Sequence, residues 1–286
     1  MSAVRLLVTG AHGQLGHDVM RAAGEAGHEA LGLDRAHLDI TDAAAAERVV
    51  ADWAPTAVIH CAAWTAVDEA EEHRDAAFAA NEAGSRNVAA AAHAAGAYII
   101  GVSTDYVFAG TDPEGYAEQD KPNPINVYGA SKLAGEHALL EAHPEGAVAR
   151  TAWLFGADGE NFVRTIARLA ATRDSLDVVT DQVGSPTWTG HLAAALVVAA
   201  EQRIPGILHL GGAPTATWHE VASEVVRVLG APCEVRPTTS DRFPRPAPRP
   251  ACSILRVTRA ETPAMGDWRD GVRAVLAAVQ PAALQR

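Results

Sequence analysis

Three glycines near the start of the chain constrain its fold more than any other feature. Gly10, Gly13 and Gly16 follow a short apolar run and open a segment with helical apolar spacing. A strand, turn and helix of this kind direct backbone N–H groups and the helix dipole at a pyrophosphate, and glycines permit the tight turn and the close packing. We therefore predict a dinucleotide-binding turn. Its cofactor contacts are Gly10, Ala11, His12, Gly13, Gln14, Leu15 and Gly16.

Strand and helix signals alternate up to residue 150, which implies a parallel sheet covered by helices on both faces. We predict an α/β fold with a Rossmann-like, doubly wound parallel sheet over residues 1–150. Residues 151–286 are predicted to form mainly a smaller C-terminal α/β substrate-binding subdomain, from which later segments can return to the first domain. Among the helices, Thr41 is predicted to cap a helix that ends at Trp53, and residues 75–95 are predicted as one alanine-rich helix.

The composition argues against several classes of protein. A net charge of −12 disfavours general binding to nucleic acid or to an anionic membrane. No apolar run approaches the roughly 18 residues that a membrane-spanning helix needs. The three cysteines are scattered and form no CxxC pair, which favours the reducing cytoplasm over a disulfide framework. No two of the twelve histidines lie three or four residues apart, so we predict no helical metal site.

The end of the second predicted strand carries two conflicting signals for the cofactor. Asp34 lies 21 residues after Gly13, where a carboxylate accepts hydrogen bonds from an adenosine ribose. Arg35 follows directly, and an arginine at this place can hold a 2′-phosphate. NADH and NADPH therefore both stay open. Asp39 and Ile40 are predicted to approach the adenine.

A tyrosine and a lysine four residues apart form a candidate catalytic pair. Tyr128 and Lys132 would share one face of a helix. The lysine ammonium is expected to lower the pKa of the phenol from about 10, so that the tyrosine can act as an acid toward a carbonyl oxygen. The alternative is an ordinary amphipathic helix. The scarcity of lysine, with only Lys121 and Lys132 in the chain, favours the catalytic interpretation.

A polar cluster, STDYVF at residues 103–108, follows the fourth predicted strand. Ligands of parallel sheets bind at the carboxyl ends of the strands, so we predict that Thr104 donates a hydrogen bond to a substrate carbonyl. The alternative is a turn or a helix cap, which clusters of serine, threonine and aspartate often form.

These motifs together resemble the extended short-chain dehydrogenase/reductases, and more closely the dTDP-4-dehydrorhamnose reductase family. The tyrosine–lysine pair and the glycine spacing indicate only the superfamily, whereas STDYVF, the GQLG ending of the glycine turn and DQVGSPT at residues 181–187 are closer to the reductases. The resemblance extends to about residue 255. It is carried by the segments VTGAHGQLG, AAWTAVDEAE, GVSTDYVF, NVYGASKLAGE, ARTAWLFG, NFVRTIARLA and DQVGSPTWTGHLA.

The resemblance implies an activity and the residues that perform it. NADH or NADPH would deliver hydride to C4 of a dTDP-4-keto-6-deoxy sugar, giving dTDP-L-rhamnose from dTDP-4-dehydro-L-rhamnose. Tyr128 would donate the proton, Lys132 would hold the nicotinamide ribose, and Thr104 would bind the carbonyl oxygen. Beyond these three residues, the family implies cofactor contacts at Ala63, Trp64 and Thr65 and substrate contacts at Asp105 and Trp153.

Three further expectations concern the substrate phosphates, metal and assembly. Arginines among residues 242–249 suit a diphosphate because a guanidinium fork matches phosphate oxygens, and Arg249 is predicted to bind the substrate. The family has been associated with Mg²⁺ held by acidic side chains across a dimer, but no residue of this sequence is assigned to such an ion. A monomer and a homodimer both stay open.

Several other functions compete on the same fold. A sugar-nucleotide dehydratase resembles enzymes with Thr-Asp-Glu, but here Tyr106 follows Thr104 and Asp105. An epimerase is another alternative, but nothing in the sequence requires that activity. A reductase of another dTDP-4-keto sugar would differ only in pocket details. A non-catalytic regulatory subunit is the alternative outside enzymes, and the intact set of Thr104, Tyr128 and Lys132 favours catalysis.

Overall fold

The first strand shows why the chain builds a buried parallel sheet. Leu6, Leu7 and Val8 are each exposed by 1% or less, so both faces of this strand are covered. The computed structural model describes residues 4–278, and in it the first strand pairs in parallel with a neighbour on each side. The N-terminal segment therefore occupies the interior of the sheet.

Strands and helices alternate along the described chain. The strands are β1 Arg5–Thr9, β2 Glu29–Leu33, β3 Ala57–His60, β4 Tyr98–Thr104, β5 Ala147–Thr151, β6 Leu154–Phe155, β7 Ser175–Val179, β8 Val183–Gly184, β9 Thr187–Trp188, β10 Gly206–His209, β11 Ala216–Thr217 and β12 Glu234–Thr238. The helices are α1 Gln14–Glu25, α2 Ala43–Trp53, α3 Glu69–Glu72, α4 Arg74–Phe78, α5 Gly84–Ala94, α6 Val127–Ala142, α7 Phe162–Ala170, α8 Thr189–Gln202, α9 Trp218–Leu229 and α10 Trp268–Ala278. Every helix within residues 4–278 is too short or too polar to cross a membrane.

The central sheet has six strands in the order β10-β5-β4-β3-β1-β2, and all neighbours are parallel. From β1 the chain first adds β2 on one side and then β3 on the other. Ligands of such sheets bind in the crevice outside the carboxyl ends, where this reversal occurs. Here that crevice lies beyond Thr9 and His60, which are aligned in register. The prediction of a doubly wound parallel sheet is confirmed.

Helices cover both faces of the sheet, as the alternation of side chains requires. On one face, α1 and α8 pack against residues that include Leu6 and Val8. On the other face, α2, α5 and α6 pack against residues that include Leu7 and Val58. The two layers hold the carboxyl ends of the strands in fixed positions, and the site is built there.

A second core lies among the later elements. Helices α7, α9 and α10 pack with β7 around buried residues such as Val163, Val221 and Trp268. Strand β10 and helix α8 also follow residue 150, yet they belong to the central sheet and its cover. The predicted division at residue 150 stays a prediction, and residues 1–3 and 279–286 of the two predicted domains lie outside the described part of the chain.

The predicted cap of α2 is wrong. Asp42 caps this helix, and its carboxylate accepts a hydrogen bond from the N–H of Ala45 at 3.1 Å. Thr41 instead donates through its N–H and its hydroxyl to Asp39. The local Asp39 turn competes for Thr41, so the cap moves one residue along the chain.

The prediction of one regular helix over residues 75–95 is also wrong in detail. A π-helical turn, Ala79–Ala83, separates α4 from α5. The wider turn carries Asn81, whose side chain is buried and bound to the backbone of Trp64. Such turns inside helices often mark functional sites.

Candidate active site

The glycine turn between β1 and α1 has no room for side chains. Gly10 has a φ of 68°, and a Cβ there would lie 2.7 Å from the backbone N of Ala62. A Cβ at Gly16 would lie 2.2 Å from the carbonyl oxygen of Gly10. Gly13 is the N-cap of α1 and brings no side chain to the first N–H groups of the helix. These groups and the helix dipole suit a pyrophosphate, so the turn fits a dinucleotide.

The other residues of the turn have different surroundings. Ala11 and Leu15 are buried in the core beneath α1. The Gln14 side-chain oxygen accepts a hydrogen bond from Nδ2 of Asn161 at 3.0 Å, which ties the turn to the segment before α7. His12 is exposed and faces the end of β2.

Asp34, the predicted ribose acceptor, is surrounded by donors. Its Oδ1 accepts from the N–H groups of Ala36 and His37 at 3.0 and 3.1 Å and lies 2.6 Å from His37 Nδ1. Its Oδ2 lies 2.8 Å from His12 Nδ1. The side-chain hydrogen bond with His37 is the main cause of a lowered pKa at Asp34. Two imidazoles and the neighbouring exposed Arg35 therefore form a rim of nitrogen donors around this carboxylate.

The two predicted adenine contacts lie just beyond this rim. Asp39 Oδ1 accepts hydrogen bonds from the N–H and the hydroxyl of Thr41, at 3.0 and 2.8 Å. Ile40 is buried in the core on the α5 side of the sheet. The Ile40 carbonyl accepts a hydrogen bond from Asn87 at 3.0 Å.

The loop after β3, with Ala63, Trp64 and Thr65, is fastened to the π-helical turn. Asn81 Oδ1 accepts from the N–H of Trp64 at 2.8 Å, and Asn81 Nδ2 donates to the Trp64 carbonyl at 3.2 Å. The same Nδ2 donates to Ser131 Oγ at 2.9 Å, on the helix that carries Lys132. Sequence reasoning missed Asn81, although an asparagine inside an alanine-rich helix was a signal.

The start of α6 positions the tyrosine–lysine pair. Asn126 caps the helix, and its Oδ1 accepts from the N–H of Gly129 at 2.7 Å. A Cβ at Gly129 would lie 2.1 Å from the carbonyl oxygen of Tyr106, so only glycine lets the helix approach the turn after β4 so closely. The rings of Tyr106 and Tyr128 then meet edge to face, with centroids 5.8 Å apart.

Lys132 is a buried cation one turn further along α6. Its Nζ donates to the Val102 carbonyl of β4 at 2.7 Å. Burial lowers the pKa of Lys132 to about 8, although Glu136 acts in the opposite direction. Glu136 is itself buried and ion-paired with Arg150 at 2.7 Å. The ammonium can therefore lose its proton at mildly basic pH.

Thr104 and Asp105 are hydrogen-bonded to each other at the carboxyl end of β4. Thr104 Oγ1 donates to Asp105 Oδ1 at 2.9 Å and accepts from the N–H of Tyr106 at 3.2 Å, as the cap of a short 3₁₀ turn. Burial raises the pKa of Asp105 to about 6, although Ser253 and Thr104 act in the opposite direction. The polar cluster therefore forms a turn that also carries a buried carboxyl group.

The expectation that Lys132 lowers the pKa of Tyr128 is wrong for this structure. Burial raises the pKa of Tyr128 to about 12, and the hydrogen bond with Thr104 opposes the rise only in part. The Lys132 ammonium binds the Val102 carbonyl, and desolvation of the phenol dominates. The phenol therefore carries its proton at neutral pH and is a weaker acid than a free tyrosine.

The predicted substrate residue Trp153 belongs to an aromatic pair. Its φ is 49°, and its ring is stacked on Trp218 with centroids 3.6 Å apart and an interplanar angle of 5°. Trp218 Nε1 donates to Gln182 Oε1 at 3.1 Å, and Gln182 lines a cavity of about 230 Å³. Sequence reasoning missed Trp218 and Gln182, although Gln182 lies within the DQVGSPT motif.

Arg249 lines the same cavity, but an acidic partner holds its guanidinium. Nη1 and Nη2 donate to Oδ1 and Oδ2 of Asp68 at 2.8 and 3.0 Å. Arg245 also lines the cavity, and its side chain is 64% exposed. No group of three or more His, Cys, Asp or Glu side chains that could hold a metal occurs within residues 4–278.

Comparison with known proteins identifies the family of this chain. The model of the RmlD substrate binding domain matches residues 4–280. A dTDP-4-dehydrorhamnose reductase from Mycolicibacterium smegmatis is 44% identical over 284 residues, which cover 97% of this chain and 86% of the relative. The chain belongs to the dTDP-4-dehydrorhamnose reductase family. The predicted family and its oxidoreductase class are confirmed.

Two further proteins are similar to this member of the reductase family. The structure of a dTDP-4-dehydrorhamnose reductase from Bacillus anthracis in complex with NADP is 36% identical, with a TM-score of 0.93 and coverage of 97% of this chain and 100% of that one. A probable dTDP-4,6-dihydroxy-2-methyloxan-3-one 4-ketoreductase from Streptomyces antibioticus is 41% identical, over 97% of this chain and 98% of the relative.

In this reductase family member, Lys132 binds the backbone of β4 near Thr104, and Asn81 joins the loop after β3 to the helix that carries Tyr128 and Lys132. Trp153 and Arg249 lie toward the second core and its cavity. The individual roles of all predicted site residues stay predictions.

Proposed function

We propose that this chain reduces the C4 ketone of dTDP-4-dehydro-L-rhamnose to dTDP-L-rhamnose with a reduced nicotinamide cofactor. The observation that carries the proposal is the buried Lys132, whose Nζ donates to the Val102 carbonyl at 2.7 Å, one helical turn from Tyr128 and near the end of β4 that carries Thr104. These groups lie where a parallel sheet binds its ligands. The choice of a sugar nucleotide as substrate rests on the names of the relatives, and the choice of Tyr128 as acid rests on the residues of this chain.

The residues divide the work of carbonyl reduction. When bound, the nicotinamide supplies the hydride to C4. Tyr128, which is protonated at neutral pH, transfers its phenolic proton to the oxygen that becomes the alcohol. Thr104 orients the phenol and the carbonyl oxygen. Lys132 contributes positive charge beside the tyrosinate that remains after the transfer.

The rim around Asp34 supports acceptance of NADPH. His12 and His37 engage both oxygens of the carboxylate, and Arg35 adds a permanent cation. A 2′-phosphate would meet the Arg35 guanidinium, whose fork of donors matches phosphate oxygens, while the two imidazoles engage the carboxylate. Replacing Arg35 with alanine should lower kcat/KM for NADPH about tenfold and leave the value for NADH nearly unchanged.

The experiment follows the absorbance of the reduced nicotinamide after mixing purified protein with enzymatically generated dTDP-4-dehydro-L-rhamnose. NADPH and NADH are tested in parallel. Tyr128→Phe should lose about 100-fold or more in kcat, whereas Tyr116→Phe, a tyrosine outside the site, should retain activity. Turnover by the wild type that survives in Tyr128→Phe would exclude Tyr128 as the proton donor, and no turnover at all would exclude this substrate.

A second candidate is reduction of another dTDP-4-keto sugar. It is favoured by the relative from Streptomyces antibioticus, whose identity to this chain is close to that of the dTDP-4-dehydrorhamnose reductase. A panel of dTDP-4-keto-6-deoxy sugars assayed in the same way decides between the two by kcat/KM.

A further inference from the structure

One loop that follows β12 is bonded to the segment before α3 and to the start of α6. We call residues 243–250, with the sequence FPRPAPRP, the arginine loop. Its Ala247 is fully buried, whereas Phe243 is 46% exposed. Its proline-dense sequence cannot form a helix and carries few N–H groups to anchor itself. The loop therefore depends on other segments for its position.

Asp68 supplies the main anchor. Besides the two bonds from Arg249, its Oδ1 accepts from the N–H of Ala247 at 3.2 Å. Asp68 directly precedes α3, a place where an aspartate usually caps the helix, yet its side chain makes no capping bond. The carboxylate instead bridges 181 residues of sequence to the arginine loop.

A second anchor joins the loop to the catalytic helix. Asn126, the cap of α6, donates from Nδ2 to the Pro248 carbonyl at 2.9 Å. The same residue holds Gly129 through its Oδ1. Glu71, on α3 beside Asp68, accepts from the N–H of Val127 at 2.9 Å. The arginine loop, α3 and the start of α6 are thus one connected unit.

Charge within the loop is distributed unequally. Arg249 is 19% exposed and its guanidinium is paired with Asp68 in a bidentate arrangement. Arg245 is 64% exposed, and its Nη1 lies 3.6 Å from Asp68 Oδ2, beyond a short hydrogen bond. Both arginines line the cavity that also contains Gln182 and Phe243. Arg245 is therefore the cation with donors to spare for an anion in this cavity.

We propose that Asp68 is a positioning residue for the sugar nucleotide: it fixes the arginine loop through Arg249, so that Arg245 meets the substrate diphosphate. The inference rests on the proposed function for the identity of the nucleotide. A free loop would pay the entropy of ordering at each binding event, and the clasp between Asp68 and Arg249 removes that cost before the substrate arrives.

The direction in which Asp68→Asn changes substrate binding distinguishes a positioning role from a purely electrostatic one. An acidic side chain near a diphosphate repels it, so if Asp68 acted only through its charge, Asp68→Asn would strengthen binding. If Asp68 positions the loop, Asp68→Asn loses the bidentate pair and weakens binding despite the gain in positive charge. The amide preserves the size of the side chain, which isolates the pairing.

The test measures the Kd of dTDP by titration calorimetry and the KM of the dTDP-4-keto sugar, together with the Kd of NADPH and the melting temperature. Asp68→Asn should raise the first two about tenfold and leave kcat at saturation and NADPH binding nearly unchanged. Glu72→Gln, which removes an exposed carboxylate on the adjoining helix α3, is the matched control and should change none of these quantities.

Two further variants test the parts of the clasp. Arg249→Gln should match Asp68→Asn, and the double variant should be no worse than either single variant because they remove one shared interaction. Arg245→Gln should weaken dTDP about tenfold but leave thymidine unaffected, because only the phosphates meet the guanidinium.

Defined outcomes overturn the proposal. An unchanged or lower Kd of dTDP in Asp68→Asn excludes the positioning role. If Asp68→Asn also weakens NADPH binding and lowers the melting temperature, Asp68 supports the fold in general and does not specifically position the arginine loop. Because dTDP binding is measured without turnover, a wild type that binds dTDP but reduces no dTDP-4-keto sugar refutes the proposed function while the clasp is still tested.

Discussion

Thr104 donates its hydroxyl hydrogen to Asp105 Oδ1 at 2.9 Å, and the same hydroxyl oxygen accepts from the N–H of Tyr106 at 3.2 Å. A threonine hydroxyl has one hydrogen to donate. While Asp105 is ionised, its carboxylate engages that hydrogen, and protonation of Asp105 weakens this bond. The protonation state of a buried carboxyl thereby sets whether Thr104 can donate to another oxygen.

Asp105 gives a pH-dependent stability prediction. Burial raises its pKa from 3.8 to about 6, so the folded state binds its proton more tightly than the unfolded state. The stabilisation from protonated Asp105 is present below pH 4 and is lost as the pH rises through 6. At pH 8 the wild type has lost about 3 kcal/mol of stability from this group.

Asp105→Asn, which does not titrate, should therefore melt at a higher temperature than the wild type at pH 8. The difference should shrink between pH 6 and pH 4. Thermal denaturation of both proteins across this range checks it. A difference in melting temperature that is the same at all pH values contradicts the assignment to Asp105. A lower kcat in the variant would show that the ionised carboxylate destabilises the protein but is needed for activity.

The pKa of Lys132 leads to a prediction of how the reaction rate changes at basic pH. Burial lowers its pKa to about 8, so its positive charge is lost as the pH rises through that value. The tyrosinate formed by proton transfer then loses its stabilising cation. kcat/KM should fall above pH 8, and the residual activity of Lys132→Arg should lack this fall because arginine stays charged. If kcat/KM of Lys132→Arg also fell above pH 8, a group other than Lys132 would cause the fall.

The sequence predicted the parts of this molecule that depend on short-range chemistry. The glycine turn could be predicted because Gly10 and Gly16 are required by contacts a few residues away. The strands could be predicted because buried parallel strands are continuous apolar runs, as Leu6 to Val8 illustrate. The spacing of Tyr128 and Lys132 places both on one helical face whatever lies around them.

Contacts between distant segments were beyond prediction. The Asp68–Arg249 pair joins residues 181 positions apart, and neither side chain carries a local signal for the other. The pKa of Tyr128 was predicted in the wrong direction because desolvation depends on how deeply the phenol is buried, which only the packed structure determines. The predicted role of Arg249 likewise took no account of Asp68.

The stack of Trp153 and Trp218 predicts a residue that affects substrate affinity without touching the reacting atoms. Their centroids lie 3.6 Å apart, and aromatic pairs contribute about 0.5–1.5 kcal/mol beyond area burial. Trp218→Leu should raise the KM of the sugar nucleotide roughly 5- to 10-fold and leave the Kd of NADPH unchanged. Trp218→Phe, which retains an aromatic face, should recover part of the loss. If the wild type, Trp218→Leu and Trp218→Phe had equal KM values, the stack of Trp153 on Trp218 would have no role in substrate binding.

Gly129 gives the sharpest test of how α6 positions the site. A Cβ at this position would lie 2.1 Å from the Tyr106 carbonyl oxygen, so Gly129→Ala must push the start of α6 away from the turn after β4. Tyr128 is the preceding residue, and a displacement near 1 Å at a catalytic group costs about 100-fold in rate. Gly24→Ala is the matched control, because a Cβ on that helical glycine meets no atom within 4 Å and should stabilise α1 by up to about 1 kcal/mol. Steady-state kinetics should show the loss of kcat in Gly129→Ala alone, and a fully active Gly129→Ala would mean that the contact with Tyr106 does not position Tyr128.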